Sequence, residues 1–217
     1  MKKKSTIIIT EQQLKDLVLK NLADDPGKFI SSFFKDIFNI TQSSETKKDS
    51  VEKGYSTAGD FLGLDLSKPE DYKKYAEIAD KFIASRSANL LGIRGSMLAD
   101  AARNSFNKFS KYVPVELALA QLAQEGGFSS NPNARPIKTK NPFNVGNVDS
   151  GKNVFHNSIQ SGIQTYYDLI AKNYLTGGKT ATDLLSNFVN SSGNRYAGDK
   201  NYESSLTKIA NQVSNMA

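Results

Sequence analysis

Cysteine is absent from all 217 residues, and histidine occurs only once, as His156. The missing cysteine excludes disulfide bonds, thiolate zinc sites and thiol catalysis. A histidine-based metal site or a Ser-His-Asp triad would rest on His156 alone, and no nucleophile motif lies near it. We therefore expect His156 to be an ordinary loop residue and the protein to use no metal or other cofactor.

Long apolar runs are also missing. No stretch approaches the ~18 residues needed to cross a bilayer, so we expect no transmembrane segment. Lys2, Lys3 and Lys4 resemble the charged start of an export signal, but the apolar stretch at 7–9 is much shorter than such a signal requires. We expect the chain not to export itself by the usual route.

The net charge is +6, and hydrophobic residues make up 38% of the chain. A mildly basic surface suits an anionic partner such as bacterial wall polymer or nucleic acid, although it is equally typical of a soluble surface. The chain has no clustered basic helix and no recognised nucleic-acid motif. We therefore expect no nucleic-acid partner.

Composition divides the chain into three parts. Residues 1–40 have the pattern of a helical N-terminal extension, which is a candidate docking segment for a larger particle. Residues 42–50 contain no apolar side chain, so we interpret residues 41–60 as a polar linker. Residues 61–217 then form the main domain.

The main domain has helical periodicity on both sides of a long irregular segment. We predict a helix that begins with a capping box at Ser67, a second helix from about 87 to 110, and a third that Pro114 opens and Gly126-Gly127 ends. Residues 128–155 have no helical period, and we predict a long loop with a short hairpin around 143–146. Helices resume from Ile159 onward, so the fold class is mostly α.

The third predicted helix carries two glutamates, Glu116 and Glu125. They are separated by about 900° of helical turn, so they point to opposite sides and cannot act as a pair. Glu125 shares its face with Gln121 and Leu122 and stands at the C-terminal end of the helix. Partial burial and the negative end of the helix dipole should both raise the pKa of its carboxyl, as a general acid for glycoside cleavage requires.

Three segments resemble one family. The segment Ala-Gln-Leu-Ala-Gln-Glu-Gly-Gly-Phe at 120–128, the segment Asn-Pro-Phe-Asn-Val-Gly at 141–146 and the segment Tyr-Ala-Gly-Asp-Lys-Asn-Tyr at 196–202 occur in that family's order and at suitable spacing. Together they resemble the endo-β-N-acetylglucosaminidases of bacteria and phages, the flagellar-autolysin type, within the lysozyme-like superfamily. The resemblance covers residues 88 to 213. It departs at Gly126, Phe128 and Ser129, where the family usually has Ser, Trp and a second Gly.

The resemblance implies a lysozyme-like α+β fold and a peptidoglycan-cleaving glycosidase that acts on β-1,4 bonds between amino sugars. Its catalytic glutamate falls on Glu125, and Tyr196 matches a tyrosine near that glutamate. The resemblance implies that Tyr196 takes part in catalysis by positioning substrate or stabilising charge. It also implies that the substrate is bound by Gln121, Phe128, Phe143, Asn144 and Tyr202. The partner implied is bacterial peptidoglycan.

A second catalytic carboxylate is needed for hydrolysis by a pair of acids. Asp149, in the long loop, is our first candidate, followed by Asp168 and Asp199. Related lytic transglycosylases need no second carboxylate, because a hydroxyl of the sugar itself closes on the anomeric carbon. The sequence leaves both routes open.

The biological setting that fits these features is a phage lysin, either carried in a virion or released from the host cytoplasm to the cell wall, with residues 1–40 as the segment that contacts other virion proteins. The alternative is a non-catalytic wall-binding or virion structural protein that keeps the same fold.

Overall fold

The computed structural model describes residues 61–147 and 151–217. Contacts divide the chain into units 1–50 and 51–217, a division that falls inside the stretch interpreted above as a linker. The predicted helical extension at 1–40, that linker and Asp149 lie outside the described residues.

The described chain is mostly helical, as the sequence predicts. In order along the chain, its α-helices are α1 (Pro69–Ala84), α2 (Gly95–Phe109), α3 (Val115–Gln124), α4 (Arg135–Thr139), α5 (Ile159–Leu169), α6 (Ala181–Ser186) and α7 (Tyr202–Ser214). A π-helical turn, Ile170–Tyr174, continues α5. No helix in this part of the chain is both long enough and apolar enough to cross a membrane.

Helix α1 begins one step later than its predicted capping box. Its N-cap is Lys68, which makes no side-chain cap, and Pro69 is the first helical residue. The hydroxyl of Ser67 instead donates to Asp65 Oδ1 at 2.6 Å. The capping box at Ser67 was therefore wrong, because the N-cap position falls on Lys68 and Ser67 lies one residue before it.

Helix α2 is shorter than predicted, since residues 87–94 are not helical. Gly92 has a φ of +62°, a left-handed conformation that a right-handed α-helix cannot contain. At Gly95 the two helices α1 and α2 touch, because a Cβ on Gly95 would overlap the carbonyl oxygen of Ala76. The glycine that weakens the helix in sequence is thus the residue that lets α2 approach α1.

Helix α3 is the central element. Every residue from Val115 to Leu122 is buried, including Glu116 and Gln121. It packs mainly on α7 and also on α1, while α5 packs on α2. The surrounding core is aromatic, and its largest fully buried side chains include Tyr75, Tyr166, Tyr167, Phe82, Phe143 and Phe188.

The long segment between α3 and α5 is irregular, as predicted, apart from the short helix α4. The hairpin predicted around 143–146 is not found, because residues 142–147 form consecutive turns instead. Asn141 holds these turns: its side chain accepts from Val145 N at 3.1 Å and donates to Val145 O at 2.9 Å. Within the described residues, the β structure is one isolated bridge between Val189 and Arg195.

Candidate functional site

Glu125 ends helix α3, and two glycines fix how the chain leaves it. Gly127 N donates to Leu122 O at 2.9 Å, and Gly126 N donates to Ala123 O at 3.4 Å. These are the two hydrogen bonds of a Schellman motif, which requires a left-handed residue directly after the helix. Gly126 supplies it, with a φ of +81°.

This geometry explains both glycines, of which Gly126 departs from the family pattern and Gly127 matches it. A side chain at position 126 would hold an L-residue in a left-handed conformation. At position 127, a Cβ would overlap Cδ1 of Leu122. Both glycines therefore serve the sharp turn that leaves Glu125 at the helix end, next to the long loop.

The Glu125 carboxyl is half-buried and has two side-chain partners. Tyr202, at the start of α7, donates its hydroxyl to Oε1 at 2.7 Å. Asn144 Nδ2 lies 3.4 Å from Oε2 and donates more closely, at 2.7 Å, to the main-chain carbonyl of Glu125 itself. Asn144 has a φ of +53°, a left-handed conformation that asparagine tolerates better than most residues.

Burial raises the pKa of the Glu125 carboxyl above its usual range, the direction predicted from sequence, and the hydrogen bonds from Tyr202 and Asn144 partly oppose the shift. Burial disfavours the charged carboxylate, whereas donated hydrogen bonds favour it. Because burial has the larger effect, Glu125 keeps its proton to a higher pH than an exposed glutamate.

A chain of buried hydrogen bonds lies behind Glu125. Tyr166 donates its hydroxyl to Gln121 Oε1 at 2.5 Å, Gln121 Nε2 donates to the Tyr202 hydroxyl at 3.0 Å, and Tyr202 donates to Glu125. Tyr202 thus accepts from the Gln121 amide and gives its single proton to Oε1 of Glu125. The other carboxyl oxygen, Oε2, has only the long contact to the Asn144 amide.

An open cleft of about 700 Å³ lies beside Glu125. Its lining residues are Glu125, Arg135, Asn144, Asn147, Tyr196, Ala197 and Gly198. Asn147 Nδ2 donates to Asn144 Oδ1 at 3.0 Å, so the two amides hold each other on one wall. This volume is within the range typical of small-molecule sites.

Of the five residues expected to bind substrate, Asn144 lines the cleft and the other four lie behind it or away from it. Gln121 and Phe143 have no exposed surface, and Tyr202 is 2% exposed. Phe143 stacks on Tyr166 with ring centroids 3.7 Å apart. Phe128 packs edge-on against Phe82 of α1 and is not among the lining residues. These four residues shape the site from beneath or beside it.

Tyr196 lines the cleft with its ring, but its hydroxyl is committed elsewhere. That hydroxyl donates to the carbonyl oxygen of Phe143 at 2.9 Å, and the ring stacks on Tyr202. Tyr196, which the resemblance places near the family's catalytic glutamate, thus connects the 141–147 turns to the segment before α7.

The candidates for a second carboxylate are in different surroundings. Asp168, on α5, forms an ion pair with Lys108 of α2 at 2.7 Å and is not among the lining residues of the cleft. Asp199 is exposed and directly follows Gly198, which lines the cleft. Of the described residues that line the cleft, Glu125 is the one with a carboxyl group.

Of the lining residues outside the three resembling segments, sequence reasoning missed Arg135 and Asn147. Both belong to the aperiodic loop, where helical spacing gives no information about direction. The near repeat Asn141, Asn144 and Asn147, at steps of three, was the available signal. These side chains do hold the turns together, through Val145, Glu125 and Val154 respectively.

The described residues contain no group of three histidine, aspartate or glutamate side chains arranged to hold a metal ion. In comparisons with protein-family models, curated proteins and solved structures, no match to this chain was found.

Proposed function

We propose that this protein is a glycosidase that cleaves β-1,4 bonds between amino sugars of bacterial peptidoglycan, with Glu125 as the general acid. The observation that carries the proposal is the half-buried Glu125 carboxyl, which has a raised pKa and lines an open cleft. Cleavage of a glycosidic bond requires an acid that still holds its proton near neutral pH and can give it to the leaving oxygen.

The hydrogen bonds around Glu125 support that role. Tyr202 occupies Oε1, so the atom that donates the proton is Oε2. Asn144 Nδ2 lies 3.4 Å from Oε2, so its amide is near the oxygen on which negative charge develops as the proton leaves. Gln121 and Tyr166 keep Tyr202 oriented from behind, and so act as positioning residues rather than as substrate contacts.

The cleft wall suits amino sugars. The side-chain amides of Asn144 and Asn147 match the hydrogen-bonding groups of acetamido substituents, and Tyr196 is the aromatic side chain among the described lining residues. In this proposal, Phe128 and Phe143 support the walls through packing. The displacement at the anomeric carbon is then made by water, with Asp149 or Asp199 as its base, or by the sugar's own acetamido or hydroxyl group, as in a transglycosylase.

The proposed setting is a phage lysin that reaches the wall from a virion or from the host cytoplasm. This setting rests on the sequence resemblance and on the helical extension predicted at 1–40. A wall-binding relative without catalysis is the alternative that the following experiment separates.

The test uses the full chain and its Glu125→Gln variant on purified peptidoglycan from several wall types, with mass spectrometry of the soluble products. The proposal predicts sugar fragments from the wild type and none above background from the variant. Reducing ends on these fragments indicate hydrolysis, and anhydro ends indicate transglycosylation. If the wild-type protein binds walls and releases nothing, the glycosidase proposal is wrong.

A further inference from the structure

Arg135 lines the same cleft as Glu125 without being bound to it. It is the first residue of α4, and its side chain is exposed. The start of α4 lies against the turn that follows Glu125, since Pro136 Cγ is 3.8 Å from where a Cβ on Gly126 would be. A permanent positive charge therefore stands on the wall of the cleft that Glu125 also lines.

The guanidinium group of Arg135 has no hydrogen-bond or ion-pair partner among the described residues, unlike that of most other arginines there. Arg103 pairs with Asp100 at 3.2 Å and covers the Tyr72 ring. Arg195 pairs with Glu203 at 2.7 Å. The raised pKa of Glu125 is attributed to burial, opposed by the hydrogen bonds from Tyr202 and Asn144. The charge of Arg135 is thus available to a molecule in the cleft.

We propose that Arg135 makes the cleft select glycans that carry carboxylate groups over neutral glycans. This inference rests on the proposed glycosidase function and adds a charge preference to it. Besides Arg135 and Glu125, the lining residues that the structure describes are uncharged, so the amides and Tyr196 treat an acidic and a neutral sugar alike. A guanidinium group binds carboxylates through paired, charge-assisted hydrogen bonds, and it stays charged at all working pH values.

Two kinds of carboxylate in peptidoglycan present this chemistry. One is borne on the sugar itself, through its lactyl ether, once the peptide has been removed. The other belongs to the attached stem peptide. Both offer the same planar anion to Arg135, and the length of the connecting group distinguishes them.

The experiment measures binding by the full chain carrying Glu125→Gln, which keeps the ligand intact. The ligands are intact peptidoglycan and peptide-free glycan strands, each before and after its carboxyl groups are converted to neutral amides. Arg135→Gln is introduced into this background. The matched control is Arg94→Gln, because Arg94 is also exposed, forms no ion pair among the described residues and does not line the cleft.

We expect Arg135→Gln to weaken binding to the untreated ligand on the order of tenfold, the loss that removal of one charge-assisted contact produces. Amidation of the ligand should weaken binding by the parent protein similarly and erase the difference between the parent and the Arg135→Gln variant. Arg94→Gln should bind like its parent. A loss confined to intact peptidoglycan identifies the peptide carboxylate, and a loss that persists on peptide-free strands identifies the sugar-borne one.

Equal binding of the untreated ligands by the parent protein and the Arg135→Gln variant would overturn the charge preference, as would a complete lack of binding. Cleavage by the wild-type chain is measured in parallel on the same ligands. If the wild type cleaves while Arg135→Gln changes neither binding nor rate, the glycosidase proposal stands and the Arg135 proposal fails. If the wild type never cleaves but binding depends on Arg135, the Arg135 charge preference stands and the glycosidase proposal fails.

Discussion

Two glutamates of α3 have raised pKa values for the same physical reason, and only one of them lines the cleft. Burial raises the pKa of both Glu116 and Glu125. Glu116 is fully buried, accepts from Leu62 N at 2.9 Å through Oε1, and has no partner for Oε2. Glu125 has partners for both oxygens and an open side. A perturbed pKa therefore marks a candidate site only together with access to a cleft.

Tyr202→Phe tests how the Glu125 acid is tuned. The lost hydroxyl is a donor that lowers the pKa of Glu125, so its removal should raise that pKa further. In the proposed mechanism the active form is the protonated acid, so activity should fall as pH rises through its pKa. The alkaline limb of the kcat/KM profile should therefore move to higher pH in the variant. Stability should fall by about 1–3 kcal/mol, since the buried Gln121 amide loses its acceptor.

Tyr196→Phe is the matched control for that profile. Its hydroxyl donates to the Phe143 carbonyl rather than to Glu125, so the alkaline limb should stay where the wild type has it. An equal shift in both variants would mean that loosening of the aromatic cluster, and not the bond to Oε1, moves the pKa.

Glu116→Gln tests the structural carboxyl through stability. The folded-state pKa of Glu116 lies above the unfolded value, so the unfolded chain ionises first as pH rises. The wild type then loses stability from about pH 4.3 up to the folded pKa, by about 1.4 kcal/mol for each unit between the two values. The glutamine variant lacks this loss, so its advantage in free energy of unfolding should grow with pH.

Denaturant unfolding at several pH values measures this difference. The exposed Glu70, in the first turn of α1, provides the control as Glu70→Gln. A gap between wild type and Glu116→Gln that stays constant with pH would show that Glu116 is not held in the protonated form.

At the level of secondary structure, the site depends on how α5 supports the 140–147 segment. Gly162 on α5 lies directly against this segment: a Cβ there would overlap the carbonyl oxygen of Lys140 and lie 3.0 Å from Pro142 Cδ. The obstacle is mainly backbone, which cannot rotate away. The segment carries Asn144, which lines the cleft. The lack of a side chain at Gly162, on the helix behind, therefore sets the position of this wall of the cleft.

Gly162→Ala should therefore lower both stability and catalysis. Alanine is the better helix former by roughly 1 kcal/mol, so a loss of stability would come from the steric contact with Lys140 and Pro142. Displacement of Asn144 should lower kcat/KM even at temperatures where the variant is folded. Thr165→Ala, one turn along α5, is the control and should keep wild-type activity. An active, stabilised Gly162→Ala protein would contradict the tight contact.

The sequence predicted much of the secondary structure and missed specific parts of it. The predicted end of α3 at Gly126-Gly127 is confirmed, since its last helical residue is Gln124 and its C-cap is Glu125. Periodicity identifies an amphipathic helix because such a helix buries one face and exposes the other. The false capping box at Ser67 and the missing hairpin at 143–146 depend on contacts between side chains and turns that periodicity does not encode.

The site itself was predictable only at its helical residue. Glu125 follows from the register of α3. Burial of Gln121 beneath Tyr202 and Tyr166 depends on α5 and α7 meeting α3, which no local pattern specifies. Arg135 was missed for the same reason, since its place on the cleft wall is fixed by the packing of Pro136 near Gly126.

On the scale of the molecule, helices distant in sequence meet at one cleft. Helix α3 brings Glu125, the loop before α5 brings Asn144, α7 brings Tyr202, and α4 brings Arg135. The fold accounts for an acid that keeps its proton beside an open, polar groove with a single free cation among its described lining residues. The net charge of +6 favours approach to an anionic polymer over an uncharged one.

The most direct test is the rate of sugar release from peptidoglycan by Glu125→Gln compared with Glu116→Gln, both measured against the wild type. Both substitutions replace a carboxyl group that has a raised pKa and lies on or at the end of α3, and only the first removes the proposed proton donor from the cleft. The account predicts a loss of at least about a hundredfold for Glu125→Gln and near wild-type rates for Glu116→Gln. Equal rates in the two variants, with Glu125→Gln still active, would contradict it.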